Sequence, residues 1–229
     1  MIHGPLTGRR ALVTGASRGI GAATARALAG AGAHVALTAR TRENIDSLVA
    51  ELGPGHIAIA ADLTTDDGVH AVVSATEAWA AGAPDIIVNN AGEFVYARLD
   101  DLAVSDFARA LRLNVEAPFR VVHAFLRAMR ARGSGDFVTV GSVADRTAYP
   151  GNAAYNASKF GVRAVHEVLR EESRGSGVRA ILVSPGPVNT DTWTPYEAEL
   201  GTTFPPRKSM LAAEDVARAI CFALSQPPG

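Results

Sequence analysis

Short unbroken runs of apolar and β-branched residues alternate along this chain with longer alanine-rich stretches whose apolar positions recur every three to four residues. The runs predict strands at 10–14, 34–38, 56–60, 85–88, 136–140 and 179–183. The periodic stretches predict helices at about 19–31, 42–52, 66–80, 152–173 and 213–224. Two further helices fill 104–132 and meet at a bend near Asn114 to Pro118. Strands that do not alternate polar with apolar positions are buried on both faces, which requires a parallel sheet covered by helices on each side. The expected fold class is therefore α/β, a doubly wound parallel sheet. Right-handed crossovers bring the strand C-termini to one edge, where ligands bind. No linker or repeat interrupts the pattern, so residues 1–229 are expected to form one Rossmann domain.

Composition changes this picture little. Hydrophobic residues make up 48% and charged residues 20% of the chain, as in an ordinary globular protein. The net charge is −1 with no basic block, so neither nucleic acid nor an anionic membrane is expected as a partner. No apolar run approaches the roughly 18 residues of a membrane span. The start, Met1-Ile2-His3-Gly4-Pro5, lacks a signal-peptide pattern, and a soluble cytoplasmic protein is expected. Six dispersed histidines offer no metal-ligand spacing, so no metal is expected. The single cysteine, Cys221, lies in an apolar stretch and reads as a buried, inert thiol in a reducing compartment.

Chemistry is carried by residues just after the strand ends. Gly15-Ala16-Ser17-Arg18-Gly19-Ile20-Gly21 joins the first strand to the first helix with a G-x-x-x-G-x-G spacing. Gly15 permits a tight turn, Gly19 lets backbone approach a ligand, and Gly21 allows close helix–strand packing. A helix N-terminus there offers N–H groups and a positive dipole end to a pyrophosphate. Tyr155 and Lys159, four residues apart, share one helix face, and the chain has only one other lysine, Lys208. An ammonium beside a phenol favours phenolate, so Tyr155 is expected to titrate below the usual tyrosine range and to exchange a proton with an alcohol or carbonyl.

With Asn89-Asn90-Ala91-Gly92 after the fourth strand, and with Asn114 and Ser142, these motifs resemble the short-chain dehydrogenase/reductase family over about residues 6 to 225. The resemblance implies that Tyr155 is the general acid or base, that Ser142 polarises the same oxygen, and that Lys159 binds the nicotinamide ribose. Asn114 would hold a helix distortion and a water that relays protons to Lys159; a locally bonded helix asparagine is the competing reading. Gly15, Ser17, Arg18, Gly19, Ile20 and Gly21 would hold the pyrophosphate region. Asn90, Ala91 and Gly92 would wall the adenosine ribose. Asp62 and Leu63 would contact adenine, with a helix N-cap as the alternative for Asp62. Pro185, Gly186, Val188 and Thr190 would hold the nicotinamide carboxamide.

The end of the second strand reads Thr38-Ala39-Arg40-Thr41, without the acid that binds a ribose 2′-hydroxyl in NAD enzymes. Arg40 and Arg18 suit a 2′-phosphate, because a guanidinium forks onto phosphate oxygens. NADP is the expected cofactor, although Arg40 also reads as a solvated loop residue. Two positions depart from the family pattern. Asp145 stands where many relatives carry glycine, and Glu93 stands where an apolar residue is common; each either contacts a polar substrate or is simply solvated. Residues of about 191–209, with Trp193, Tyr196 and Phe204, resemble a substrate lid. Their prolines favour a mobile flap over a rigid pocket.

The expected function is NADPH-dependent hydride transfer between nicotinamide and a ketone or secondary alcohol. A 3-oxoacyl thioester is the best single candidate substrate. Retention of Asn114, Ser142, Tyr155 and Lys159 argues against an inactive NADP-binding regulatory protein of the same fold. The glycine spacing and the lack of a large C-terminal domain argue against an epimerase or dehydratase. A homodimer or homotetramer built on the helices at about 115–132 and 152–173 is expected, without the family's usual seventh strand.

Overall fold

The structure is a computed structural model that describes residues 4–201 and 205–227. In chain order its strands and helices are β1 Arg10–Thr14, α1 Gly19–Gly30, β2 His34–Ala39, α2 Arg42–Leu52, β3 Ile57–Ala60, α3 Asp66–Ala80 and β4 Ile86–Asn89. There follow α4 Val104–Leu111, α5 Ala117–Arg132, β5 Gly135–Val140, α6 Ala153–Glu172, β6 Val178–Val183, α7 Glu197–Leu200 and α8 Ala213–Ser225. The six strands form one parallel sheet in the order β3-β2-β1-β4-β5-β6. The crossover from β3 back to β4 makes the switch point, so the β1 and β4 ends diverge to leave a crevice there.

Helices cover both faces, and each face has its own core. Leu28, Val13, Val35, Leu37, Ile86, Ile220 and Leu224 belong to one, beneath α1 and α8. Leu12, Ile87, Val72, Val121, Phe125, Met129 and Phe137 belong to the other, beneath α3 and α5. Alternate residues of β1 and β4 thus serve opposite cores, which is why those strands read as unbroken apolar runs. At the sheet's N-terminal end, the buried carboxylate of Asp136 accepts from Arg9 at 2.6 Å and Arg179 at 2.5 Å. Arg179 also donates to the carbonyls of Leu224 and Gln226, tying the end of α8 to β6.

The bend expected near Asn114 is a π-helical turn, Arg112–Glu116, between α4 and α5. Such a turn opens the i→i−4 ladder and re-aims side chains, and it turns Asn114 inward to a buried position. The segment expected to form the lid follows β6. Its described part forms a 3-10 turn, Asp191–Tyr196, then α7 and a second 3-10 turn, Arg207–Ser209, folded against the sheet edge. Arg207 holds it there through Glu197, Thr194 and the Thr190 carbonyl. Phe204 lies outside the described residues. Among the described residues no helix is long and apolar enough to cross a membrane. No group of His, Cys, Asp and Glu among them could hold a metal. Cys221 is only half-buried, packed against the α1 side of the core.

Candidate active site

One cavity of about 700 Å³ runs along the C-terminal edge of the sheet. Every position expected at the site lines it except Asn114: Gly15, Ser17 to Gly21, Arg40, Asp62, Leu63, Asn90 to Gly92, Ser142, Tyr155, Lys159, Pro185, Gly186, Val188 and Thr190. These residues come from six separate strand ends and α6, so only the sheet order brings them together.

The glycine turn is built as its spacing suggests. Gly15 has φ +67°, a left-handed conformation that favours glycine. A Cβ on Gly21 would sit 2.2 Å from the Gly15 carbonyl oxygen and 2.5 Å from Asn90 Nδ2. Asn90 Nδ2 donates to the carbonyls of Thr14 at 2.8 Å and Gly15 at 3.1 Å, so its side chain secures the turn. Thr14, which the motif reading missed, supplies the matching acceptor: its hydroxyl oxygen takes the N–H groups of Asn90 and Ala91. No side chain caps α1, whose N-cap is Arg18, so the N–H groups of its first turn remain available to an anion. Arg18 and Arg40 are exposed at the cavity, and their guanidinium groups make no hydrogen bond or ion pair with another described residue. The cradle, the helix end and the two guanidiniums fit a dinucleotide phosphate.

Asp62 does not cap a helix. The α3 N-cap is Thr65, whose hydroxyl accepts from Gly68 N. Asp62 Oδ1 accepts instead from the N–H and hydroxyl of Thr64 at 2.9 and 2.8 Å. The first of these bonds is the main reason its carboxyl titrates below the usual range. The pair Val188–Leu211 forms a β-bridge, and the Val188 carbonyl accepts from the Trp193 indole at 2.7 Å.

Asn114 reaches across to two other elements. Its Oδ1 accepts from Glu93 N, and its Nδ2 donates to Glu93 O and to Ser158 Oγ, all at 2.9 Å. It therefore pins the loop after β4 to α6, and is not the locally bonded helix asparagine. Asn156, also absent from the motif reading, donates to the Ala144 and Thr147 carbonyls at 2.7 Å and holds the loop that carries Ser142.

The Tyr155–Lys159 pair departs from the simple expectation. Lys159 is buried, donates to the Val140 carbonyl at 3.0 Å and sits 5.6 Å from the centre of the Tyr155 ring. Burial pulls its ammonium down to about 8. Burial also pushes the Tyr155 phenol above its usual range, against a smaller opposing hydrogen bond with Ser142. The expectation of a lowered phenol meets the opposite direction here: loss of solvent outweighs the hydrogen bond with Ser142.

The two acidic departures are both held by ion pairs. Asp145 has a fully buried side chain, bonded to Arg146 Nε at 2.7 Å and Ser184 Oγ at 2.5 Å. Glu93 lines the cavity, and its Oε2 pairs with Arg109 at 2.6 Å. Its Oε1 is buried without a partner among the described residues, and burial raises its carboxyl. Beside them is an aromatic cluster that no spacing announced. Phe94 packs edge-to-face on Tyr155, Trp193 and Tyr196, at centroid distances of 5.0, 4.7 and 5.4 Å.

Comparison with known proteins places the chain in a family. A family model described as short chain dehydrogenase matches residues 9–201. The chain is 38% identical, over 98% of its length, to glycine betaine reductase of Emericella nidulans, of which it spans only 18%. It is 31% identical to an uncharacterized oxidoreductase of Staphylococcus epidermidis, over 95% of this chain and 91% of that one. A metagenomic short-chain oxidoreductase solved in complex with NADP superposes with TM-score 0.81 at 31% identity, covering 98% of this chain and 93% of the other. The sheet order, the glycine cradle and these matches lead to one conclusion: the chain belongs to the short-chain dehydrogenase/reductase family and is an oxidoreductase.

Proposed function

We propose that the protein reduces a ketone or aldehyde with NADPH and, in reverse, oxidises the matching alcohol. The supporting observation is a single cavity lined by the glycine cradle, by Arg18 and Arg40, and by Ser142, Tyr155 and Lys159. NADPH, when bound, supplies the hydride that reaches the carbonyl carbon. The Tyr155 hydroxyl gives its proton to the carbonyl oxygen, and a phenol kept protonated by burial suits that donor role. Ser142 donates a hydrogen bond to the same oxygen as charge develops there. Lys159 would hold the ribose hydroxyls and return a proton toward Tyr155, while Asn114 keeps α6 and the loop after β4 in register. The test is NADPH oxidation, followed at 340 nm, against a panel of carbonyls; failure to oxidise NADPH with any of them overturns the reading.

The choice of NADPH rests on Arg18, Arg40 and the absence of an acid at Ala39, and a relative's NADP complex agrees with it. Arg40→Ala is expected to raise KM for NADPH by about tenfold or more, the size of a lost hydrogen bond to a charged group, with little change for NADH. Ala39→Asp should shift preference toward NADH by repelling the 2′-phosphate. Equal use of both cofactors by the unmodified protein would contradict this assignment.

For the carbonyl partner, a 3-oxoacyl thioester remains the first candidate. A carbonyl carrying a quaternary ammonium group is the second. It is favoured by the aromatic wall of Phe94, Tyr96, Tyr149 and Trp193 beside the Glu93 carboxylate, since aromatic faces attract cations. The relative named glycine betaine reductase takes its name from a compound of that class. An acetoacetyl thioester and a trimethylammonium aldehyde, compared by kcat/KM, decide between them. We further infer a homo-oligomer through α5 and α6, which leave Phe119, Phe160 and Val168 exposed. Light scattering at micromolar concentration should give at least a dimer, and a clean monomer would refute it.

A further inference from the structure

We propose that Asp145 is a positioning residue of the reduction: its buried carboxylate fastens the segments that carry Ser142 and residues 185–190 to α6, and its charge biases Tyr155 and Lys159 toward the form that reduces a carbonyl. The inference rests on the reductase reading above. Asp145 ends the 3-10 turn Val143–Asp145, whose N-cap is Ser142, and its own N–H donates to the Ser142 carbonyl at 2.9 Å. One carboxylate oxygen accepts from Ser184 Oγ, directly before the Pro185-Gly186 loop, at 2.5 Å. The other takes Arg146 Nε at 2.7 Å and Arg163 Nη1 at 3.4 Å. Arg163 lies on α6 one turn after Lys159. Three segments far apart in sequence therefore meet on one carboxylate.

Room for this junction is made by Gly141. A Cβ there would lie 2.7 Å from Ser184 Oγ and 2.8 Å from Asp145 Oδ2. The side chain of Asp145 is wholly buried, whereas those of Arg146 and Arg163 are 51% and 35% exposed. Water therefore screens the guanidiniums more than the carboxylate, and the buried anion is felt by its neighbours. Burial comes first in shifting both members of the reacting pair, raising the Tyr155 phenol and pulling the Lys159 ammonium down to about 8. Asp145 adds to the rise of the phenol and opposes the fall of the ammonium. Both influences keep a proton on the pair, which is the form that donates to a carbonyl oxygen.

Without the carboxylate both groups release their protons at lower pH, so the alkaline limb of carbonyl reduction moves down. Asp145→Asn is the first variant. Asp145→Gly is the second, should the asparagine variant not fold. Tyrosinate absorbance near 295 nm, taken as the difference from the same protein carrying Tyr155→Phe, reads the phenol without turnover. Each Asp145 variant is expected to lower this midpoint and to move the alkaline limb of kcat the same way. Ser184→Ala removes the junction's hydrogen bond but keeps the charge, so it should raise KM for NADPH a few-fold and leave the phenol midpoint unmoved. An unmoved midpoint in the Asp145 variants, or an equal shift in Ser184→Ala, overturns the proposal. Because the phenol titration needs no substrate, the role of Asp145 is decided even if no carbonyl is reduced. If carbonyls are reduced but the midpoint stays fixed, only the role of Asp145 falls.

Discussion

Tyr155→Phe is expected to lower kcat for carbonyl reduction by at least about 10²-fold, the scale of a lost general acid, with NADPH affinity nearly unchanged. The change deletes one oxygen and keeps the ring, so the edge-to-face contact with Phe94 at 5.0 Å survives and the fold should be undisturbed. A loss of kcat with an unaltered thermal transition and unaltered NADPH fluorescence titration would locate the effect in proton transfer. The pH profile offers a second check. Reduction needs the proton on the phenol, and burial raises the phenol's titration above the usual tyrosine range. The unmodified protein should therefore keep a flat reduction rate through neutral pH and lose it only on the alkaline side. Near-normal turnover in Tyr155→Phe would remove Tyr155 from the mechanism.

Gly21→Ala should be the most damaging single methyl in the cofactor cradle. Its Cβ would fall 2.2 Å from the Gly15 carbonyl oxygen, a backbone atom in a turn already held by Asn90. Neither neighbour can yield without opening the β1–α1 turn, so a cost of about 1–3 kcal/mol is expected. At this chain length that lowers Tm by several degrees, and NADPH affinity should drop with it. Gly30→Ala is the control. Gly30 ends the same helix, no atom lies within 4 Å of its added Cβ, and an alanine there should stabilise by up to about 1 kcal/mol. Calorimetry on both variants should give opposite signs; equal signs would show that helix propensity, not the cradle, governs the region.

Legibility divided along the range of the interactions. The strands and helices were readable because apolar periodicity reports which faces are buried, and boundaries shifted by only a residue or two, as at β5, which starts at Gly135. The glycine turn was readable because the left-handed φ of Gly15 and the closeness of Gly21 to Gly15 arise within seven residues. The bend at Asn114 was visible as a break in the helix pattern, but its π-turn and its clamp on Glu93 and Ser158 were not, since those partners lie 21 and 44 residues away. Asp145 and Glu93 read more readily as solvated charges than as substrate contacts. Nothing near Asp145 in sequence announces Ser184, 39 residues on, and Arg109 lies 16 residues beyond Glu93. The lid's prolines suggested a mobile flap, but its contacts with Phe94 were not readable, because Phe94 lies 102 residues before Tyr196.

By itself, then, the order of residues determined the doubly wound class, the position of the phosphate cradle and the set of groups available at one sheet edge, because each depends on local spacing and backbone chemistry. Tertiary structure alone decided their ionisation and surroundings. Tyr155 is raised rather than lowered, Lys159 is drawn down to about 8, and Asp145 is buried among Arg146, Arg163 and Ser184. Solvent exclusion and charge proximity are properties of folded space, and segments far apart in the chain must meet before either acts on a side chain.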